Sequence, residues 1–389
     1  MKEVRGYHCI TLQYQTLKIS NKQISQISLS KNIKGEKVYI GPGLIDLQIN
    51  GINGVDFNDR GLSMDAVVEA TLYLLSKGVT TYFPTIITNS DKNVFAILKC
   101  ITEACQANKL VDSCIGGIHL EGPFISKVDG ARGAHALEYI KAPDWQWVEK
   151  CQSVAKGRVK MITLSPEWAN TTEFIQNCVA NNIRVAIGHT YANAEQLNSA
   201  VSAGASLSTH LGNAVPLMLP RHPNLLWEQL ANDNLYASII ADGFHLPDSV
   251  LKVIMKVKGG KCLLVSDATY FSGKAPGVYK THIGDEVLLE EGGRLAINKT
   301  PELLAGATKN IFENIQYLIS AKLTSLSQAW SMASIYPATF LGLPNRPMAQ
   351  GSEADLLTFT MDKQGRIHIQ EVIKQGTTVY KNTTAPTYE

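Results

Sequence analysis

Two rhythms of apolar and polar residues divide the chain. From Tyr7 to Ile40, in ITLQYQTLKIS, ISQISLS and KVYI, apolar and polar positions alternate, the period of half-buried strands. The alternation returns after Gly351 as ADLLTFTM, a turn at Asp362–Gly365, then RIHIQEVIKQ and TTVYK, which reads as a hairpin. These β-rich ends predict one small sheet domain assembled from residues 1–42 and 346–389. Residues 43–345 follow another rhythm. Short apolar runs fall at Leu44–Ile49, Val79–Phe83, Ile115–Leu120, Val159–Leu164, Arg184–Ile187, Ser206–Thr209, Tyr236–Ala241 and Cys262–Ser266. Helix-like stretches such as Met64–Lys77, Val94–Ala107 and Ala194–Ala203 separate most of them. Eight strand–helix units close a barrel, so the fold class is α/β, a (β/α)₈ TIM-type barrel carrying the terminal sheet domain. A doubly wound open sheet is the rival, but no GxGxxG and no Walker A sequence is present.

The polar residues fall where those strands stop. Gln48 and Asn50 end the first, His119 and Glu121 the third, His189 the fifth, His210 the sixth and Asp267 the eighth, while His245 follows the seventh. Parallel strands joined by crossover helices would bring all of them to one edge, where α/β proteins gather their catalytic groups. The crossover Ile183–Ala214 alone delivers two imidazoles. Two histidines and a carboxylate are the ligands of an open catalytic zinc site. Such a metal lowers the pKa of its water toward ~7 and polarises a carbonyl. Asp267 would then carry a proton from that water to a leaving amine, chemistry suited to amide hydrolysis.

Plainer readings stand beside these. Glu121 in HLEGPF could pair locally, His119 could be a satisfied core histidine and Asp267 a helix N-cap. His8, His282 and His368 lie outside the pattern.

Composition narrows the class. The 389 residues are 45% hydrophobic and 18% charged with a formal net charge of +2, ample core for a globular enzyme and too little charge for a nucleic-acid or membrane surface. No apolar run has the length to span a bilayer. The segment MKEVRGYHCITLQYQ lacks the apolar stretch of a signal peptide. The seven cysteines are scattered with no CxxC pair, so a reducing cytoplasm is expected.

The motifs GPGLIDLQINGINGVDFND, HLEGPF…GAH, AIGHT, STHLGNAVP, ADGFH, SDAT and LAGA resemble, in this order, those of the N-acetylglucosamine-6-phosphate deacetylases of the amidohydrolase superfamily. The resemblance runs from about Gly41 to Leu356 and implies a (β/α)₈ barrel with a small β-sandwich domain built from both chain ends. It implies one divalent metal per subunit, zinc first with iron(II) or cobalt as alternatives, held by Glu121, His189 and His210. It makes Asp267 the acid/base in hydrolysis of the acetamide to glucosamine-6-phosphate and acetate. Ala134 and His135 match the sugar- and acyl-contacting pair. Asn213, Ala214, Asp242, Gly243, Phe244, His245, Leu304, Ala305 and Gly306 match substrate-contacting loops. Arg221 matches the arginine that binds the sugar phosphate from the partner subunit, which implies a homodimer acting on a small amino-sugar phosphate.

Three positions depart from related patterns. Gln48 and Asn50 replace the His-x-His that holds a second metal in many amidohydrolases, so one metal is expected, with Gln48, Asn50 and His119 supporting it from behind. Ser165-Pro166-Glu167 stands where binuclear relatives place a bridging lysine. After Arg221 the usual glycines are replaced by His-Pro-Asn-Leu-Leu-Trp. That change leaves open a deacetylase of another N-acetylated amino sugar, such as N-acetylgalactosamine-6-phosphate or an unphosphorylated one. A silent sugar-phosphate-binding barrel is the non-enzymatic alternative.

Overall fold

The computed structural model describes residues 2–29, 37–280, 286–343 and 348–383. His282 and the expected 345/346 domain boundary lie outside them. The chain forms two compact units, one of Met1–Asp46, Thr71–Thr81 and Asn310–Glu389, the other of Leu47–Ala70 and Tyr82–Lys309.

In the first unit both chain ends build one seven-stranded sheet. Strands Lys2–His8, Tyr14–Ser20, Gln23–Leu29 and Tyr39–Pro42 join Leu356–Met361, Ile367–Lys374 and Thr377–Lys381. The N-terminal strand Tyr39–Pro42 pairs with the C-terminal strand Leu356–Met361 in antiparallel register, Pro42 opposite Leu356. The period-2 alternation explains this: Leu17, Ile19, Ile24, Ile40, Leu356 and Ile373 all point into one buried cluster. Trp330 closes the same unit, stacked 4.5 Å from Phe359 with its indole N–H on Pro42 O at 3.0 Å.

The eight parallel strands are Leu44–Ile49, Val79–Ile87, Ile118–Glu121, Val159–Leu164, Arg184–Ile187, Leu207–Ser208, Tyr236–Ile239 and Cys262–Leu264, in chain order around the sheet. A parallel bridge between Ile49 and Ala268 brings first and last together. Asp267 N–H donates to Gln48 O at 2.9 Å across that seam. The barrel is nearly closed. Its strands are buried almost throughout, as expected where helices cover the outside and side chains fill the inside.

The helix Ala194–Ala203 shows how local sequence sets the scaffold. Asn193 caps Gln196 N–H and the Gln196 side chain answers in a capping box, while Gly204 ends the helix at φ 115°. Leu197, Ala200 and Ala203 form its buried face. Its length returns the chain to the next strand in register, Ile187 beside Ser208. His189 and His210 each follow two residues later.

A four-stranded antiparallel sheet, Gly277–Lys280, Glu286–Leu289, Leu295–Ile297 and Thr300–Leu304, was not foreseen. Its strands have three to five residues, too few for period 2 to stand out. Phe271, Val287, Leu289 and Leu295 form its core.

Candidate metal centre

Glu121 ends the third barrel strand, where the register sets it opposite Ile87 on one side and Thr163 on the other. Its Oε1 lies 3.2 Å from His189 Nε2 and 3.1 Å from His210 Nε2, and the two nitrogens are 3.1 Å apart. All three residues are buried. A tetrahedral ion held at ~2.0–2.1 Å by three such ligands would set their atoms about 3.3 Å from one another, so this triangle has the size of one face of that polyhedron.

The tautomers fit the same purpose. His189 Nδ1 faces Ala131 O at 3.0 Å. Its proton belongs there, which leaves Nε2 as a bare lone pair aimed at the cluster. His210 Nδ1 is buried without a hydrogen-bond partner among the described residues; Ser238 Oγ accepts its backbone N–H at 2.8 Å. Lone pairs that converge this closely on a carboxylate oxygen call for a shared proton or a cation. The donor set fits a single divalent metal.

Backbone conformation aims these groups. His189, His210 and Asp267 have φ of 49°, 31° and 49°, the left-handed region that non-glycine residues rarely occupy. Each strand turns sharply as it leaves the barrel, and the turn points the side chain inward. Such strain persists only where neighbours over-determine it.

The first-strand amides take a different part from metal ligation. Gln48 Nε2 donates to Glu121 Oε1 at 2.7 Å and to Asp267 Oδ1 at 3.1 Å. Asn50 Nδ2 donates to Asp267 Oδ1 at 2.7 Å. A histidine pair there would bring cations or lone pairs; the amides bring N–H donors to two carboxylates. Burial first, then the charge of Glu121, pushes Asp267 up to about 6, against the opposing effect of His210, His245 and the Asn50 hydrogen bond. Burial also opposes ionisation of Glu121, but the two imidazoles hold its carboxyl well below the usual range.

His135 packs edge-on to His189, ring centroids 4.4 Å apart, with Nδ1 2.8 Å from Thr88 Oγ1. Burial, aided by His189, lowers it to about 3, so its ring is neutral at pH 7. His119 lies behind the ligands on the same strand as Glu121. Its Nε2 is 2.7 Å from Thr163 Oγ1, which meets Thr209 Oγ1 at 2.8 Å. Burial lowers His119 to about 4.

The amidohydrolase family model matches residues 39–379. The chain is 31% identical over 326 residues to the N-acetylglucosamine-6-phosphate deacetylase of Bacillus subtilis, covering 82% of this chain and 80% of that one. The Haemophilus influenzae protein of the same name is 31% identical, with 83% and 82% covered. The crystal structure of the Pasteurella multocida N-acetylglucosamine-6-phosphate deacetylase superposes with a TM-score of 0.85 at 26% identity, covering 98% of this chain and all of that one. This chain belongs to the N-acetylglucosamine-6-phosphate deacetylase family of amidohydrolases.

The remaining positions that resemble the deacetylases' substrate loops gather unevenly around the centre. Asp242 accepts the N–H groups of Phe244 and His245 at 2.8 and 2.9 Å, and its Oδ2 lies 2.7 Å from His245 Nδ1. Gly243 turns at φ 84°, so this loop is one organised unit presenting the His245 ring. Leu304 ends a strand of the small sheet, and Ala305 packs on its core. Gly306 has φ 109°, and a Cβ there would stand 2.7 Å from Thr269 Cγ2; the Ala268–Ala307 bridge holds this turn beside Asp267. Asn213 donates to His210 O at 3.2 Å, and Ala214 turns at φ 50°. Ala134 and Arg221 are exposed, and among the described residues no ion pair or hydrogen bond engages the Arg221 guanidinium.

Residue-type reasoning missed Thr88, Thr163 and Ala131 O, because a threonine in an apolar strand or a backbone carbonyl has no signature of its own. Only the folded chain shows that they meet histidines.

Proposed function

We propose that this protein hydrolyses the acetamide of N-acetylglucosamine-6-phosphate to glucosamine-6-phosphate and acetate in the cytoplasm. The observation that carries the reading is the meeting of Glu121, His189 and His210 within 3.2 Å beside a buried, raised-pKa Asp267. One divalent ion, zinc by donor chemistry with iron(II) and cobalt also suited, would be held by Glu121 Oε1 and the two Nε2 atoms. When bound it supplies Lewis acidity, acidifying water and polarising a carbonyl.

The protein's own groups do the rest. Asp267 takes a proton from the attacking water and returns it to the leaving amine. Neutral His135, with Nδ1 turned to Thr88, has Nε2–H available to donate to the acetamide oxygen as negative charge develops there. Gln48 and Asn50 hold the Asp267 carboxylate in place with N–H donors. Seven free cysteines suit a reducing compartment, and among the described residues no helix is long and apolar enough to cross a membrane.

We assign Arg221 to the phosphate and the assembly to a homodimer in which this arginine serves the partner's site. Leu217 and Met218, 92% and 84% exposed four and three residues before it, make an apolar tip suited to burial against a second copy. Arg221→Ala should raise KM for the phosphorylated sugar ~10–100-fold, as loss of a charge-assisted contact does, and leave the unphosphorylated sugar's kcat/KM unchanged. Equal effects on both would remove the phosphate role and favour the reading as a deacetylase of another amino sugar. Mixing Arg221→Ala with Asp267→Asn chains tests the partner arrangement: activity returns only if the arginine acts across the dimer.

A further inference from the structure

The fourth barrel strand supplies none of the three ligands, yet the carboxylate just beyond it is tied into the centre. Glu167 Oε1 accepts from Ser126 Oγ at 2.7 Å. Its Oε2 accepts from Ser165 Oγ and from Tyr191 N–H, both at 2.9 Å. These donors come from the loops after the third, fourth and fifth strands. We infer that Glu167 is the positioning residue for His189, fixing the turn that aims the imidazole at the metal; this rests on the metal-centre reading above.

Three routes lead from Glu167 to that turn. Tyr191 N–H is two residues beyond His189. Thr190 Oγ1 lies 2.8 Å from Ser165 Oγ; since the serine proton goes to Glu167, the threonine hydroxyl donates, and Thr190 Oγ1 then accepts from Ala192 N–H at 3.0 Å. Ser126 N–H donates to His189 O at 2.9 Å while its hydroxyl is on Glu167. Both sides of a residue held at φ 49° are thus pinned to one carboxylate. Ser126, Ser165 and Thr190 are buried, so none of these groups has water as a ready substitute. A left-handed turn at a non-glycine residue relaxes unless its surroundings fix it, and relaxation would swing Nε2 off the triangle. The binuclear relatives' lysine at this end of the strand would meet a metal directly. Glu167 instead acts through hydrogen-bond donors.

The test titrates metal-free parent, Glu167→Gln and Glu167→Ala with zinc against a chromophoric chelator, and records the visible spectrum of each cobalt-loaded form. Glu167→Ala should bind zinc 10–100-fold more weakly than the parent, as loss of an outer partner of a ligating histidine does, with an altered cobalt spectrum. Glu167→Gln keeps one acceptor oxygen and should lose less. Glu313→Ala, which removes the glutamate half of the capping box of the helix Ile311–Ser320, controls for loss of stability alone and should leave affinity unchanged. Zinc affinity within twofold of the parent's in Glu167→Ala, or in Glu167→Gln should the alanine variant not fold, overturns the inference. A parent that takes up no metal overturns the reading beneath it, and this inference with it.

Discussion

Asp267→Asn is expected to lower kcat for acetate release by ~10³-fold, within the range that general acid–base groups contribute, while the protein still carries one metal ion per chain. The three ligand atoms do not include Asp267, and Asn50 Nδ2 can still donate to the oxygen of an asparagine at this position. KM should change little, since the lost function is movement of a proton. Turnover equal to the parent's would end the assignment.

The same substitution is expected to stabilise the metal-free protein. Asp267 is buried beside Glu121 and stands at about 6 in the fold, against ~3.9 for an unperturbed aspartate. The folded state therefore binds this proton more tightly than the unfolded chain. Stability is lost as pH rises from ~4 to about 6, and the loss stays constant above. Removing the ionisable group at pH 8 should recover about 3 kcal/mol, and the gain should vanish below pH ~4. Denaturant midpoints of the two metal-free proteins at both pH values measure it; a destabilised asparagine variant at pH 8 would contradict the account. On this account the proposed proton carrier stands in a place that weakens the fold, a common cost of an active site.

Much of this architecture could be read in the sequence because the barrel repeats one physical unit. A parallel strand buried on both faces is a continuous apolar run, and Leu44–Ile49, Val159–Leu164 and Arg184–Ile187 match those runs end to end. Polar residues stand out at their ends. Glu121, His189, His210 and Asp267 were legible for that reason, and the motifs around them carried the family likeness. The sheet of Gly277–Leu304 was not legible, since strands this short have no measurable period. The tasks of Gln48 and Asn50 were only half legible. Their residue types pointed to a single metal, but their bonds to Asp267 depend on a seam between the first and last strands that no local pattern encodes. Glu167 was visible only as a missing lysine. Its three donors lie 41, 2 and 24 residues away, a convergence made by the fold alone.

Removal of the metal is expected to abolish activity and soften the protein together. Chelation should reduce turnover at least 10³-fold, with recovery on adding zinc, cobalt or iron(II). Without a cation, His189 Nε2, His210 Nε2 and Glu121 Oε1 face one another at 3.1–3.2 Å with too few protons to satisfy them, in a buried place where water cannot intervene freely. A cation relieves that conflict in the folded state and finds no such cluster in the unfolded chain, so binding stabilises the fold. At a free metal concentration of 1,000 times Kd the gain is about 4 kcal/mol, visible as a rise in the thermal midpoint. His210→Ala should lose both the turnover and this metal-dependent rise, because two remaining ligands do not close the triangle. Chelated protein that still releases acetate, or a His210→Ala variant whose melting still responds to metal as the parent's does, would show that these three side chains do not form the centre.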